Sequence, residues 1–344
     1  MDKVDIQLKT GPWNLSELPN VPKHNSTVFS CFHCGGGSTM GYKLAGYHVL
    51  GGVEIDPQMM RIYKANHNPK HSYLMGVQDF KNIPDTELPK ELFELDVLDG
   101  SPPCSSFSMA GSREDKWGKN THFREGQTEQ VLDDLFFHFI QIASKLKPKI
   151  VVAENVKGLI LGNAKGYVKE IFQSFKNIGY DCQLFLMNAS RMGVPQARER
   201  TFFIANRINK KVKLDFNEKV ISIKESIIDL INLRGKDQRK SINYKYYKMC
   251  QPGEAFSKYH PTGSLFNWKR LDLNLPSPTL TTTFQSLNYL PSDMFNLHDK
   301  HIIRLQTFPD DYNFCDMNPA YICGMSVPPF MMQRVAAEIY KQLL

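Results

Sequence analysis

Residues 27–207 predict a doubly wound, mostly parallel Rossmann-like α/β sheet, followed by a smaller, irregular domain. Three observations carry this expectation. Over the first two-thirds of the chain, short apolar runs alternate with helical patterns, which is how βαβ units read in sequence. From about residue 208 the pattern loosens into basic, tyrosine-rich sequence punctuated by "QPGE" and "HPTGS" turns. Order returns near residue 300 and ends in "QRVAAEIYKQLL", an amphipathic helix expected to pack back on the sheet. A chain that leaves its main domain and then returns makes a cleft between two lobes. The expected divisions are an extension at 1–26, the main domain at 27–207, the small domain at 208–299 and a returning segment at 300–344.

"TVFSCF" (27–32) reads as a buried strand, "STMGYKLAG" as a helix closed by Gly46, and "YHVLGGVEI" as a second strand. "LFELDVLDG" (92–100) and "KIVVAEN" (149–155) read as further buried strands. Between them, "EQVLDDLFFHFIQIASKLK" repeats apolar residues at helical spacing and carries lysines at its end, where the helix dipole favours cations. "YVKEIFQSFKNIGY" predicts a helix stopped by Gly179. "CQLFLMNAS" and "RTFFIANR" predict two adjacent strands with a functional loop between them.

The 344-residue chain is 42% hydrophobic and 22% charged, the composition of an ordinary globular protein. Its seven cysteines are odd in number and scattered, which points to reduced thiols in a cytoplasmic compartment. The N-terminus has no apolar core of a signal peptide, and no run approaches a membrane span, so no membrane partner is expected. Of the net charge of +7, residues 208–270 carry fourteen Lys/Arg against six Asp/Glu, an excess of eight that leaves the rest near neutral. "LRGKDQRKSINYKYYKMC" interleaves cations with tyrosines, as a phosphate backbone and stacked bases would favour. Charge alone does not separate that reading from a solvated lysine-rich surface.

In parallel sheets, ligands collect at the carboxyl ends of the strands. "FHCGGGSTMG" follows the first strand there and opens a helix, so Gly35, Gly36 and Gly37 can bring backbone close to a ligand. Glu54, ending the second strand, can accept from a ribose diol. Cys104 follows the third strand in "SPPCSSFS", where Pro102 and Pro103 fix the backbone before the sulfur. A free thiol, with a pKa of about 8.5, needs help to become a nucleophile, and a stiff loop lowers the entropy of holding it for attack. Glu154, after "IVVA", needs either a cationic partner or a chemical task, because an unpaired buried carboxylate is costly. Gln196, Arg198 and Arg200 alternate in "VPQARERTFF", so in an extended segment all three share a face and could grip a carboxylate and a carbonyl oxygen.

Taken in order, these motifs resemble the C5-cytosine DNA methyltransferase family from about residue 27 to the end. "FHCGGGSTMGYKLAG" resembles its S-adenosyl-L-methionine loop, "VEID" its ribose acid, and Asp79 in "VQDF" the acid that contacts the adenine amine. "SPPCSSFSMAG", "ENV" and "QARER" resemble the nucleophile loop, the acid motif and the clamp on base and glutamate. "RLDLNLPSPTLTTT" is similar to the segment that organises a target-recognition domain, and "RLQTFPDDYNF" with "GMSVPP" to the closing segment.

The resemblance implies a methyltransferase that flips a cytosine out of double-stranded DNA and methylates its C5 through a covalent bond from Cys104 to C6. It gives Glu154 the contact to N3 and the exocyclic amine, and Arg198 and Arg200 the hold on base and glutamate. Phe32, Ile55 and Phe80 would sandwich the adenine, and Ser326 would belong to the cofactor site. Pro103, Ser105, Ser108, Gln196, Arg270 and Thr282 would meet the DNA. The same resemblance implies a cytoplasmic, nucleoid-associated monomer, able to serve a restriction-modification system beside a cognate endonuclease without forming a stable complex with it.

Three departures stand out. Cys34 occupies a glycine position of the first loop, Met325 replaces the asparagine of the closing motif, and "LHDKH" precedes "RLQTFP" where the family shows L-T-x-R-E. A tRNA-methylating branch would carry Cys-Phe-Thr in its recognition region, which this chain lacks. A silent DNA-binding homologue would have lost Cys104 or Glu154. A nicotinamide dehydrogenase would leave "SPPC", "ENV" and "QARER" without purpose. Cys31 and Cys34 form a C-x-x-C, but without a second pair no metal site is expected.

Overall fold

The computed structural model describes residues 3–103, 120–121, 130–131, 134–161, 165–282, 288–290 and 293–344. Cys104, Ser105 and Ser108 lie outside the described residues. Seven strands form the main sheet: β1 (Thr27–Cys31), β2 (His48–Glu54), β3 (His71–Leu74), β4 (Val97–Gly100), β5 (Ile150–Val156), β6 (Asp181–Asn188) and β7 (Glu199–Asn206). Their order is β3-β2-β1-β4-β5-β7-β6. Every neighbouring pair is parallel except those made by β7, which runs antiparallel to both β5 and β6. The chain goes one way from β1 to β2 and the other way to β4, so the crevice of a doubly wound sheet opens at the carboxyl ends of β1 and β4.

Helices cover both faces, as alternation along the buried strands requires. Val28, Val97, Ile150, Val152, Phe202 and Ile204 pack with α1 (Gly37–Leu44) and α10 (Pro329–Leu343). Phe29, Leu98, Val151, Ala153, Phe203 and Ala205 point the opposite way, onto α4 (Leu135–Leu146) and α5 (Lys165–Asn177). The expected strand at 92–100 is shorter, because Lys90–Phe93 forms a 3₁₀ turn that buries Leu92 before the chain extends. α2 (Pro57–His67) and β3 lacked a clean sequence signal. β3 is an edge strand of mixed polarity, half-buried along most of its length, so it shows no apolar run. α2 starts where Asp56 accepts from the Gln58 and Met59 amides, with Pro57 in the first turn.

Between residues 244 and 294 a separate small core gathers Tyr246, Tyr247, Cys250, Phe256 and Met294 around α7 (Tyr244–Met249). Val212, Leu271, Leu280 and Leu297 from the same basic region, with α6 (Ile223–Ile227), join the main core instead. The chain then returns through α8 (Asp299–Leu305), α9 (Pro319–Met325) and α10, which packs along α1. Residues ahead of β1 lie against this returning segment: the buried Trp13 indole donates to the Thr307 carbonyl at 3.1 Å. No described helix is long and apolar enough to cross a membrane. The described cysteines Cys31, Cys34, Cys182, Cys250, Cys315 and Cys323 are free thiols.

Candidate active site

A cavity opens at the carboxyl ends of β1 to β4. Phe32 and Cys34 line it from the first loop, Glu54, Ile55 and Asp56 from the end of β2, and Gly76 and Val77 from the turn into α3 (Val77–Phe80). Ser101 and Pro103 line it after β4, and Tyr321 and Met325 close it from α9. Glu54 accepts from the Cys34 amide at 2.9 Å and the Asp56 amide at 3.0 Å. Burial pushes its pKa up to about 7 against those two donors.

The first loop is left-handed at Phe32 (φ +56°) and at Cys34 (φ +50°), where the family resemblance expects a glycine. The glycines themselves do not line the cavity; they admit the returning segment. A side chain on Gly35 would run into Ile322, and one on Gly37 into the Val327 carbonyl and, at 2.8 Å, the Ser326 Cβ. Gly36 (φ +90°) lies against His67, and the Tyr312 hydroxyl donates to the Gly35 carbonyl. Ser326 is 3% exposed beside the Cys34 thiol, behind the cavity wall rather than in it.

Two residues expected at the adenine lie outside the cavity wall. Phe80 is fully buried, with its ring 5.6 Å from Phe29 and 4.9 Å from Tyr73, and does not line the cavity. Asp79 is exposed on α3 and is also absent from the wall. From this turn, Gly76 and Val77 line the cavity.

Beside the cavity, Arg200 Nε meets Glu154 Oε1 at 2.9 Å, both side chains largely buried. The ladder explains the pairing. Glu154 stands opposite Phe202 and Arg200 opposite Val156, so acid and guanidinium are diagonal neighbours on one face. Asn155, which the sequence reading did not single out beyond its motif, donates from Nδ2 to the Pro102 carbonyl at 3.1 Å. It ties the acid strand to the stretch that leads into Cys104.

The other two members of the alternation face elsewhere. The Arg198 amide bonds back to the Gln196 carbonyl at 3.0 Å, a tight turn that breaks the extended face. Arg198, 2% exposed, donates to the Leu280 and Gly324 carbonyls, each at 3.0 Å. Gln196 is fully buried; it donates to Gln306 Oε1 at 2.6 Å and accepts from the Leu280 amide at 2.9 Å. Both therefore clasp the segment around Leu280 to α9 and the end of α8. Gly324 presses on the backbone of Thr281 and Thr282, so Thr282 borders the cavity's α9 wall. Arg270 sits 4.9 Å over the Tyr247 ring and donates to the Cys250 carbonyl at 2.8 Å, inside the small core.

Behind β4, Asp99 accepts from Ser30 at 3.1 Å, Ser38 at 2.8 Å and Tyr42 at 3.3 Å. Burial raises its pKa to about 7, and the Glu154 charge adds to the rise. It joins the helix of the first loop to the strand that leads to Cys104. Among the described residues no cluster of His, Cys, Asp and Glu could hold a metal ion.

The family described as C-5 cytosine-specific DNA methylase matches residues 26–341. The chain belongs to that family. Among relatives of this C-5 cytosine-specific methylase, Type II methyltransferase M.NgoPII of Neisseria gonorrhoeae is 26% identical, with 92% of this chain and 96% of that protein covered. M.FnuDI of Fusobacterium nucleatum is 28% identical, with 92% and 94% covered. Among solved structures, a prophage-encoded E. coli protein aligns at TM-score 0.68 and 20% identity over 93% of this chain and 99% of its own. S. pombe Dnmt2 aligns at TM-score 0.60 and 15% identity, covering 92% and 98%. These likenesses show the methylase fold.

Proposed function

We propose that this methylase transfers a methyl group from S-adenosylmethionine to C5 of a cytosine flipped out of duplex DNA, with Cys104 as the nucleophile. The observation that carries the reading is the Arg200–Glu154 pair, tied through Asn155 to the residues before Cys104 and set beside a cavity that ends in a buried carboxylate. The cavity fits the cofactor. Glu54 would accept from the ribose hydroxyls, Phe32 and Ile55 would flank the adenine, and Tyr321 and Met325 would meet the amino-acid end. When bound, the cofactor supplies an electrophilic methyl group on sulfur.

The protein's part is to make C5 nucleophilic. The Cys104 thiolate adds to C6 while Glu154 gives a proton to N3, so the ring becomes an enamine with electron density at C5. Arg200 holds Glu154 against the ring. After C5 has taken the methyl group, loss of the C5 proton to base expels the thiolate and restores the aromatic ring. None of these atoms is reachable inside a duplex, so the base must leave the stack, at a cost of about a few kcal/mol. The naming of relatives as Type II methyltransferases supports a modification role within a restriction system.

Fluorine at C5 blocks the last proton loss. An oligonucleotide carrying 5-fluorocytosine at the cognate site, with S-adenosylmethionine, should therefore be trapped on the enzyme as a denaturation-resistant band that Cys104→Ala abolishes. A wild-type enzyme that methylates DNA without forming the adduct would overturn the covalent mechanism.

A further inference from the structure

The outer face of α7 carries two apolar side chains in the most cationic stretch of the chain. Ile242, just ahead of the helix, is 83% exposed, and Met249, at its end, is 51% exposed. Lys245 and Lys248 stand exposed between them, each over a tyrosine ring, at 4.8 Å from Tyr246 and 5.2 Å from Tyr244. From Arg234 to Lys248 the chain holds six cations and one acid, Asp237, which Arg239 already engages at 2.6 Å. Ile242 lies in the turn ahead of α7, and it, Lys245 and Met249 are all exposed to solvent.

This face is rigidly mounted. Tyr246 and Tyr247 bury the opposite side in the small core, and the Tyr247 hydroxyl donates to the Leu290 carbonyl at 2.8 Å. Arg270 lies over Tyr247, and Lys269–Arg270 pairs with Asn288–Tyr289 beside it. An exposed isoleucine and methionine set among lysines have no solvation benefit. Against a duplex, the lysines would neutralise phosphates and the apolar tips would meet base edges such as the thymine methyl group.

We infer that the Ile242–Met249 face of α7 is a sequence-reading edge for duplex DNA, with Lys245 and Lys248 as its phosphate contacts and Ile242 and Met249 as specificity-determining residues. This rests on the DNA methyltransferase reading above. The test uses the full chain and a randomised duplex library, methylated in vitro and read by conversion sequencing. Wild type should mark a defined site. Ile242→Ala and Met249→Ala should each lose about tenfold of discrimination at one or two base pairs of that site, with the wild-type Tm kept because both positions are exposed. Lys245→Ala and Lys248→Ala should weaken binding on all duplexes alike and reduce the slope of log affinity against log salt by about one each. Wild type that leaves no 5-methylcytosine anywhere would sink the functional reading itself. Wild type with a defined site, unchanged in the Ile242 and Met249 variants, would leave that reading standing and overturn this inference, as would an unchanged salt slope in the lysine variants.

Discussion

Glu54 shows how one residue ties fold, titration and ligand together. Its carboxyl is drawn into the crevice by two backbone amides, yet burial leaves its pKa near 7, well above an ordinary glutamate. The folded protein keeps that proton from about pH 4.5 up to about 7, whereas the unfolded chain gives it up. Glu54 therefore contributes stability at low pH that is lost as pH rises toward 7, each pKa unit being worth about 1.4 kcal/mol. Cofactor binding has the opposite sign, because a ribose diol donates into the ionised form. Titration calorimetry with S-adenosylhomocysteine should show affinity falling as pH drops below 7, and Glu54→Gln should bind weakly at every pH without that limb. A pH-independent wild-type affinity would remove Glu54 from the site. The sequence singles the position out because an acid ending a strand at the sheet's carboxyl edge can meet a ribose diol, but a solvated carboxylate would read the same; its burial was not legible. Nor was the packing of Phe80, since an aromatic next to a motif acid reads the same whether it faces a cavity or the Phe29 ring.

At the scale of elements, the strands along the sheet centre were legible because both of their faces are buried, while the edge strand β3 and the turn that shortens β4 were not. The clamp motif is the instructive case. Alternation put Gln196, Arg198 and Arg200 on one face, but the turn from 196 to 198 sends Arg198 to the Leu280 and Gly324 carbonyls and Gln196 to the Gln306 side chain and the Leu280 amide, and leaves only Arg200 for Glu154. Sequence period predicts direction only while the backbone stays extended. The glycine loop teaches the complementary lesson. Three glycines read as a ligand cradle, yet the returning segment fills the space the missing side chains of Gly35 and Gly37 leave, and His67 fills that of Gly36. Gly37→Ala should push against the Val327 carbonyl, which cannot rotate away as a side chain would, and should cost about 1–3 kcal/mol in urea unfolding. Stability equal to wild type would mean that the closing segment does not seat on the loop.

For the whole molecule, charge and architecture divide the work. The sheet domain is near neutral and holds the acid, its guanidinium and the cavity, while the basic stretch continues into a segment clasped to the cavity's α9 wall by Arg198 and Gln196. The charge count marks the basic stretch at 208–270 but not the clasp, because backbone partners leave no trace in side-chain chemistry.

The antiparallel insertion of β7 between β5 and β6 has one more consequence. The distance between Glu154 and Arg200 is set by the interlocked backbone ladder of three strands rather than by any loop. Amide protons along 151–155 and 201–205 should therefore exchange with deuterium only when the entire domain opens, more slowly than those of α7. The Glu154–Arg200 pair would then stay assembled while less protected segments open and close. Fast isotope uptake along β5 and β7 in the native protein would show that the ladder breathes and that the alignment of acid and guanidinium is held by something else.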